Sequence, residues 1–309
     1  ESAPVLGVQI PKPNGGMRQL GIPTVQDRLI QQAVQQVLSR VFEPTFSDSS
    51  FGYRAGRSAH DAVRRAQQYV QEGKCWVVDI DISAFFDAVN HDILMTRVGG
   101  HVRDKRVLKL IGRYLRAGMK QDGQIHKRSQ GTPQGGPLSP LLANVYLDAL
   151  DKELEQRQLS FVRYADDIAI YVGSERSAER VLASITEWIE RHLRLRINRE
   201  KSGSGPTGQR KLLGFLIDPD GRVEIAPESE QRYKDRVREV WNARSGRSGP
   251  DTVKTWQAYL RGWWNYFGMA QSRLSNLSSW TRHHMRKWFW QRWHSREGRL
   301  KRLRGLGLA

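Results

Sequence analysis

FVRYADDIAIYV, residues 161–172, places two adjacent carboxylates, Asp166 and Asp167, between runs of strand-forming residues. Apolar, β-branched and aromatic residues on both sides of a short polar centre predict two strands joined at a tight acidic turn. Side chains of such a turn project together into whatever cleft the sheet faces. Two neighbouring carboxylates repel unless a cation neutralises them, and hard oxygen donors favour Mg²⁺, which binds through one or two carboxylates plus substrate phosphates. Upstream, WVVDIDI (76–82) alternates so that Asp79 and Asp81 fall on one side of a strand. Pairing of the two segments would bring Asp81 beside the turn, with Asp79 as its rival. Three carboxylates converging on two divalent ions stabilise the attacking and leaving oxygens of phosphoryl transfer.

Working outward, 4–13 reads as an extended segment and NGG (14–16) as a turn. Thr24 caps a helix whose apolar residues Val25, Leu29, Ile30, Ala33, Val34, Val37, Leu38 and Val41 recur at helical spacing. After the loop FGYRAGR (51–57), Ser58 and Asp61 form a capping box for a second helix. Helices are expected at 90–98 and 104–117, and a hairpin around 121–129. The loop GTPQGGPLSP (131–140) opens a long helix, and another follows at about 177–194. DPDG, between KLLGFLI and RVEIA, marks a further hairpin, and RSGRSGP (244–250) reads as a joint between tail helices.

Charge divides the 309-residue chain near 227. Fifty Lys and Arg against 32 Asp and Glu give a net +18, and residues 228–309 hold 18 against 6, or +12. Such an excess points to a polyanion, most often nucleic acid, through release of condensed counterions. The tail also holds eight of the ten tryptophans, an interleaving that suits a nucleic-acid surface. Trp256, Leu260, Trp263, Trp264 and Phe267 nevertheless share one helical face, which favours a core reading for most of these rings. The single cysteine, Cys75, excludes an internal disulfide and a thiolate zinc site. No apolar run reaches the roughly 18 residues of a membrane-spanning helix. The opening residues lack the features of a signal peptide, so a cytoplasmic location is expected.

DISAFFD (81–87), GTPQGGPLSPLLANVYLDALD (131–151), FVRYADD (161–167), INREKS (197–202) and LLGF (212–215) together resemble, in order and spacing, the reverse transcriptases of group II introns. IPKPNGGMRQLGIPTVQDRLIQQAV (10–34) is similar to the fingers of that class, and YLRGWWNYFG (259–268) to its helical thumb, or maturase domain X. The resemblance implies an α+β right-hand polymerase fold, with fingers and an antiparallel palm sheet in 1–227 and an all-helical thumb in 228–309. It implies RNA-templated addition of deoxynucleotides to a primer 3′-hydroxyl, dependent on two Mg²⁺ ions, with deoxynucleoside triphosphates as substrates. Asp81, Asp166 and Asp167 resemble the metal-binding aspartates. Asp81 is preferred to Asp79 because the class places an aromatic five residues after the ligand, where Phe86 stands. Phe86 then resembles the gate beneath the incoming sugar, with Phe85 an ordinary core residue. Gln134 resembles the glutamine bordering the nucleotide, Lys12 and Arg18 the fingers cations that hold its triphosphate, and Asn198 and Lys201 the palm residues near its phosphates. Leu213, Gly214 and Phe215 resemble the primer grip, with capping and core packing as alternatives for these last five.

The partners implied are group II intron RNA, an RNA template with a DNA or RNA primer, and target DNA, in a bacterial cytoplasm with nucleoid association during action on DNA; no membrane is implied. The class usually carries an extension ahead of the fingers, whereas Ile10 stands near the start of this chain. No DNA-binding and His–Asn–His endonuclease module is expected beyond the thumb. Arg282, Arg286 and Lys287 fall on one helical face and are candidates for RNA binding. Two other roles fit the same core: an RNA-binding splicing factor, and a host-adapted relative serving phage defence, spacer acquisition or DNA repair.

Overall fold

The computed structural model describes residues 2–11, 15–242, 248–270, 274–292, 301–302 and 304–305. Lys12 and most of the expected joint at 244–250 lie outside the described residues. The chain divides into two compact units, Glu1–Pro206 and Thr207–Ala309.

In the first unit the order is β1 (Val5–Pro11), β2 (Met17–Ile22), α1 (Val25–Phe42), α2 (Ala59–Gln71), β3 (Trp76–Asp81), α3 (Phe85–Ala88), α4 (His91–His101), α5 (Lys105–Arg116), β4 (Met119–Gln121), β5 (Gln124–His126), α6 (Ser139–Gln156), β6 (Ser160–Tyr164), β7 (Asp167–Val172), α7 (Glu175–Trp188) and β8 (Gly203–Pro206). Caps set the helix starts as expected. Thr24 accepts from the Asp27 amide, and Ser58 and Asp61 complete the capping box. Asn90 and Asp104 cap α4 and α5.

Two four-stranded sheets result, β2-β1-β4-β5 and β6-β7-β3-β8. The second is antiparallel throughout. Its β7 is a near-continuous apolar run, and helices cover the sheet, with α7 packing on β3 and α2 on β6. Ile80, Ile168, Ile170, Leu142, Tyr146, Leu147 and Ile185 are buried in one core. Fully burying such side chains contributes about 1.5–3 kcal/mol each.

The apolar positions of α1 do not all face inward: Leu38 and Phe42 are buried, whereas Val25, Leu29 and Val37 are 82%, 73% and 65% exposed. The periodicity gave a helix correctly, but eight apolar residues wrap too wide an arc for one buried stripe.

The second unit begins with a hairpin of β9 (Phe215–Ile217) and β10 (Val223–Ile225), closed at Asp218 to Gly221, followed by α8 (Pro227–Val240), α9 (Gly249–Phe267) and α10 (Leu274–Arg292). Contacts therefore divide the chain ahead of the charge transition at 227. The hairpin carries little net charge, yet Phe215 packs on Tyr266 and Phe267 of α9, so it belongs to the helical unit. Trp241, Trp256, Trp263 and Trp288 form an aromatic core with Tyr233 and Phe289. Trp264, grouped with them by spacing, is 52% exposed instead.

Candidate active site

The strand register assembles the acidic site. Asp81, the last residue of β3, lies directly opposite Asp167, the first of β7, and Asp79 lies opposite Ala169 on the same face. Across the hairpin Tyr164 pairs with Asp167, which leaves Ala165 and Asp166 as a two-residue loop. Ala165 has φ of 58°, in the half of the map that favours glycine, while Asp166 stays in the ordinary half. Glycine is the usual occupant of that first position, and a residue with a Cβ pays on the order of 1–2 kcal/mol there.

That strain is held from behind by residues the sequence reading did not select. Arg163 is completely buried and forms a two-pronged ion pair with buried Asp151 of α6, at 2.7 Å from Nε and 2.6 Å from Nη2. Its Nη1 donates to the Ala165 carbonyl (3.0 Å) and to Asn144 Oδ1 (2.9 Å), and Nη2 also donates to Ser50 Oγ (2.7 Å). Asn144 in turn donates to the Gly52 carbonyl at 2.9 Å. Gly52 lies so close to the turn that a Cβ there would stand 2.3 Å from the Ala165 nitrogen. Its glycine is therefore a steric requirement, and the charged residue of RYADD is a structural anchor. A signal was available: an arginine inside an apolar strand run needs a buried partner.

The carboxylates at the front act on one another instead. The Asp166 carboxyl is pushed above its ordinary range by burial, and the negative charge of Asp81 adds to this while Arg18 opposes it. Asp167 is pushed up to about 6 by partial burial and then by Asp166, Asp79 and Asp81, against Lys201. Among the described residues no three His, Cys, Asp or Glu side chains stand close enough together to hold a metal ion alone. Opposed carboxylates on two strands nevertheless fit Mg²⁺, which completes its shell with water and substrate oxygens.

Other expected residues divide by position. Arg18, exposed on β2, acts electrostatically on Asp166, and Lys201 acts on Asp167. The Asn198 amide donates to the Asp81 carbonyl at 2.9 Å, and Ser202 Oγ accepts from the Asp81 amide at 2.8 Å, so the 198–202 turn fixes the end of β3. Ser202 was missed by sequence, as was Tyr53. Tyr53 has φ of 60°, and its hydroxyl is pushed up first by partial burial and then by the Asp166 charge, against Arg18. Gln134 is half-buried in a loop pinned by the Gly21 amide on its carbonyl (2.7 Å) and by Ser139 Oγ on the Pro133 carbonyl (2.7 Å). Phe86 is 9% exposed and meets Phe85 edge-on within the core. In the second unit Leu213 and Gly214 both have positive φ, and the Leu213 carbonyl accepts from Tyr266 Oη at 2.9 Å. Phe215 has no exposed surface. Arg282, Arg286 and Lys287 are exposed on α10.

An antiparallel palm sheet with acidic residues at one end, accompanied by a second sheet and by helices, defines the right-hand polymerase fold. Residues 10–217 match the reverse transcriptase (RNA-dependent DNA polymerase) family and 230–305 the group II intron maturase-specific domain, so the chain belongs to the group II intron reverse transcriptase and maturase family. It is 32% identical over 237 residues to protein YkfC of Escherichia coli, covering 64% of this chain and 62% of that protein. It is 43% identical over 161 residues to the group II intron-encoded protein LtrA of Lactococcus lactis, covering 52% of this chain and 27% of LtrA. A structure of Candida albicans telomerase with a fragment of telomeric RNA covers 93% of this chain and 58% of the telomerase at 13% identity and a TM-score of 0.57, a likeness of fold.

Proposed function

We propose that the protein is an RNA-directed DNA polymerase that extends a primer 3′-hydroxyl with deoxynucleotides, with fingers and palm in 1–227 and thumb in 228–309. The observation that carries this reading is the register of Asp81 against Asp167 at a turn locked from behind by Arg163. Asp81 and Asp166 would hold two Mg²⁺ ions, with Asp167 alongside, and the ions would supply charge neutralisation for in-line phosphoryl transfer. The remaining steps are positioning, which is where catalysis of this kind resides. Arg18, with Lys12, binds the triphosphate of the incoming nucleotide, and Lys201 and Asn198 border its phosphates. Gln134 and the glycines around it let the backbone approach the nucleotide, and Phe86 limits the space at the 2′ position. Leu213, Gly214 and Phe215 support the primer end. Extension of a primer on an RNA template, in Mg²⁺ and deoxynucleoside triphosphates, tests the reading; an unaltered, folded protein that fails to extend it would refute it.

The maturase-specific match over 230–305 favours a second function beside the first, binding of group II intron RNA to assist splicing and retrohoming into target DNA. Exposed Arg282, Arg286 and Lys287 fit that contact, and a cytoplasmic site with nucleoid association fits the role. Sequencing RNA that copurifies with the protein decides between this and a host-adapted role: one structured intron supports the maturase, and no enriched intron removes it.

A further inference from the structure

The excess of positive charge was traced by sequence to the tail, yet the first unit carries a concentrated cationic surface of its own. Lys105, Arg106, Lys109, Arg113 and Arg116 are all exposed on α5, a helix that contains no Asp or Glu. At 100° per residue these five project within an arc of about 100°, along roughly 16 Å of helix. The opposite face, with Ile111, Tyr114 and Leu115, is buried. Arg116 lies back across Gly112, where a Cβ would stand 3.1 Å from its guanidinium, so this glycine leaves room for the cation.

This arrangement works against the stability of the isolated fold. Lys105 with Lys109 and Lys109 with Arg113 are like-charge pairs at i,i+4, each unfavourable by a few tenths of a kcal/mol. Lys105 and Arg106 also occupy the first turn, where the helix dipole disfavours cations. On α2, α6 and α8 cations are paired with acids about one turn away: Arg64 with Asp61, Arg157 with Glu153, Lys234 with Glu230 and Arg236 with Glu239. On α5 only Arg106 is ion-paired among the described residues, to the exposed cap Asp104. A row of cations left without acids on its own helix is complementary to a row of phosphates.

We infer that the outward face of α5 is a binding surface for the phosphodiester backbone of RNA, separate from the cations of the C-terminal unit. The inference rests on the reading that RNA is the molecule this chain works on. Measuring RNA affinity as a function of salt, with a uniform single-stranded RNA and a structured RNA as probes, tests it on the full chain. Each phosphate contact contributes about 0.7–0.9 to the slope of log K against log salt. Lys109→Gln, Arg113→Gln and Arg116→Gln together are expected to flatten the slope by about two units on at least one probe, with a melting temperature equal to or above that of the unaltered protein, since repulsion is relieved. An unchanged slope on both probes overturns the inference. So does loss of binding to polyglutamate with RNA binding intact, which would make the face a site for an acidic protein.

Should the triple variant fold poorly, Lys109→Glu converts two repulsive i,i+4 pairs into attractive ones and stabilises α5. It is expected to flatten the slope by at least about 0.7, and an unchanged slope again overturns the inference. Primer extension by the unaltered protein is read in parallel. Its failure would remove the polymerase reading, while the salt slopes would still report on α5.

Discussion

The two sides of the 164–167 turn treat charge in opposite ways. Behind it, Arg163 and Asp151 are both fully buried and neutralise each other through two short hydrogen bonds, with Asn144 and Ser50 taking up remaining donors. In front, Asp81, Asp166 and Asp167 face one another, and Asp166 and Asp167 are pushed above the ordinary carboxylate range first by burial and then by neighbouring negative charge. Among the described residues a guanidinium stands behind the turn while Arg18 and Lys201 oppose the charge in front of it, which under the proposed function leaves the front carboxylates to a cation brought from outside. The back supplies rigidity, because a buried, fully satisfied network has one arrangement, and the front supplies the electrostatic demand.

The largest expected effect lies at the front. Asp166→Asn is expected to reduce primer extension by at least about a hundredfold, because a neutral amide forfeits several kcal/mol of metal-mediated charge stabilisation. RNA affinity should stay within a few-fold, as measured by filter binding. Substantial extension by this variant would dissolve the contrast between the two sides. Asp79→Asn is expected to be milder than Asp81→Asn, since Asp81 pairs with Asp167 and Asp79 with Ala169. The reverse order would transfer the ligand role to Asp79.

At the back, Arg163→Met leaves Asp151 as a buried, unpaired charge, and removing one partner of such a pair costs about 3–5 kcal/mol. Urea unfolding should show a loss of that size, and Arg163→Met with Asp151→Leu should recover much of it. If the double variant regains stability but not extension, the network positions the turn beyond merely stabilising the fold. If it regains both, rigidity behind the turn is dispensable and the contrast is one of stability alone.

Gly52→Ala probes the same side with a single methyl group. Its Cβ would meet backbone at 2.3 Å, which cannot yield as a flexible side chain can, so overpacking should cost about 1–3 kcal/mol and lower extension. An unaffected Gly52→Ala protein would mean that the turn relaxes freely and that the Arg163 network does not hold it.

How much of this was readable in advance depended on whether a residue's role was local. Strand alternation placed Asp79 and Asp81 on one face, the paired carboxylates marked the turn, and Ser58, Thr24 and the DPDG turn marked their elements, all from neighbours in sequence. Gly52 and Ser202 were invisible because their partners lie far along the chain, at Ala165 and Asp81. Arg163 was passed over as part of an apolar strand, although its charge demanded a partner that only the packing of α6 reveals. Trp264 misled for a different reason, one that the exposed residues of α1 also illustrate: periodicity locates a helix but does not say which part of a wide apolar arc is covered. The boundary at 227 was drawn from charge, while the compact units part at 206–207, with Phe215 packed on α9.

The smallest expected effect comes from a carboxylate that shares the elevated titration of the front without sharing its role. Asp148 of α6 is pushed up to about 6 by burial and by Asp151, with Lys152 opposing, and its Oδ1 is buried without a hydrogen-bond partner among the described residues. A folded value above the ordinary 3.8 means that the fold favours the protonated acid. The stability associated with that proton is fully present below the ordinary value and is lost as pH rises through about 6. Asp148→Asn, whose amide resembles the neutral acid, should therefore be more stable than the unaltered protein above this range, with the difference shrinking toward pH values below the ordinary one. Urea midpoints at mildly acidic and mildly alkaline pH measure this directly. A difference that persists under acid conditions would assign the effect to packing, and a variant less stable at alkaline pH would show that the charge is compensated in place. Added Mg²⁺ sharpens the contrast: it should raise the alkaline midpoint of the unaltered protein and of Asp148→Asn alike, and do so less for Asp166→Asn. Elevated titration at Asp148 would then record burial beside Asp151, and at the turn it would record a site that a divalent cation completes.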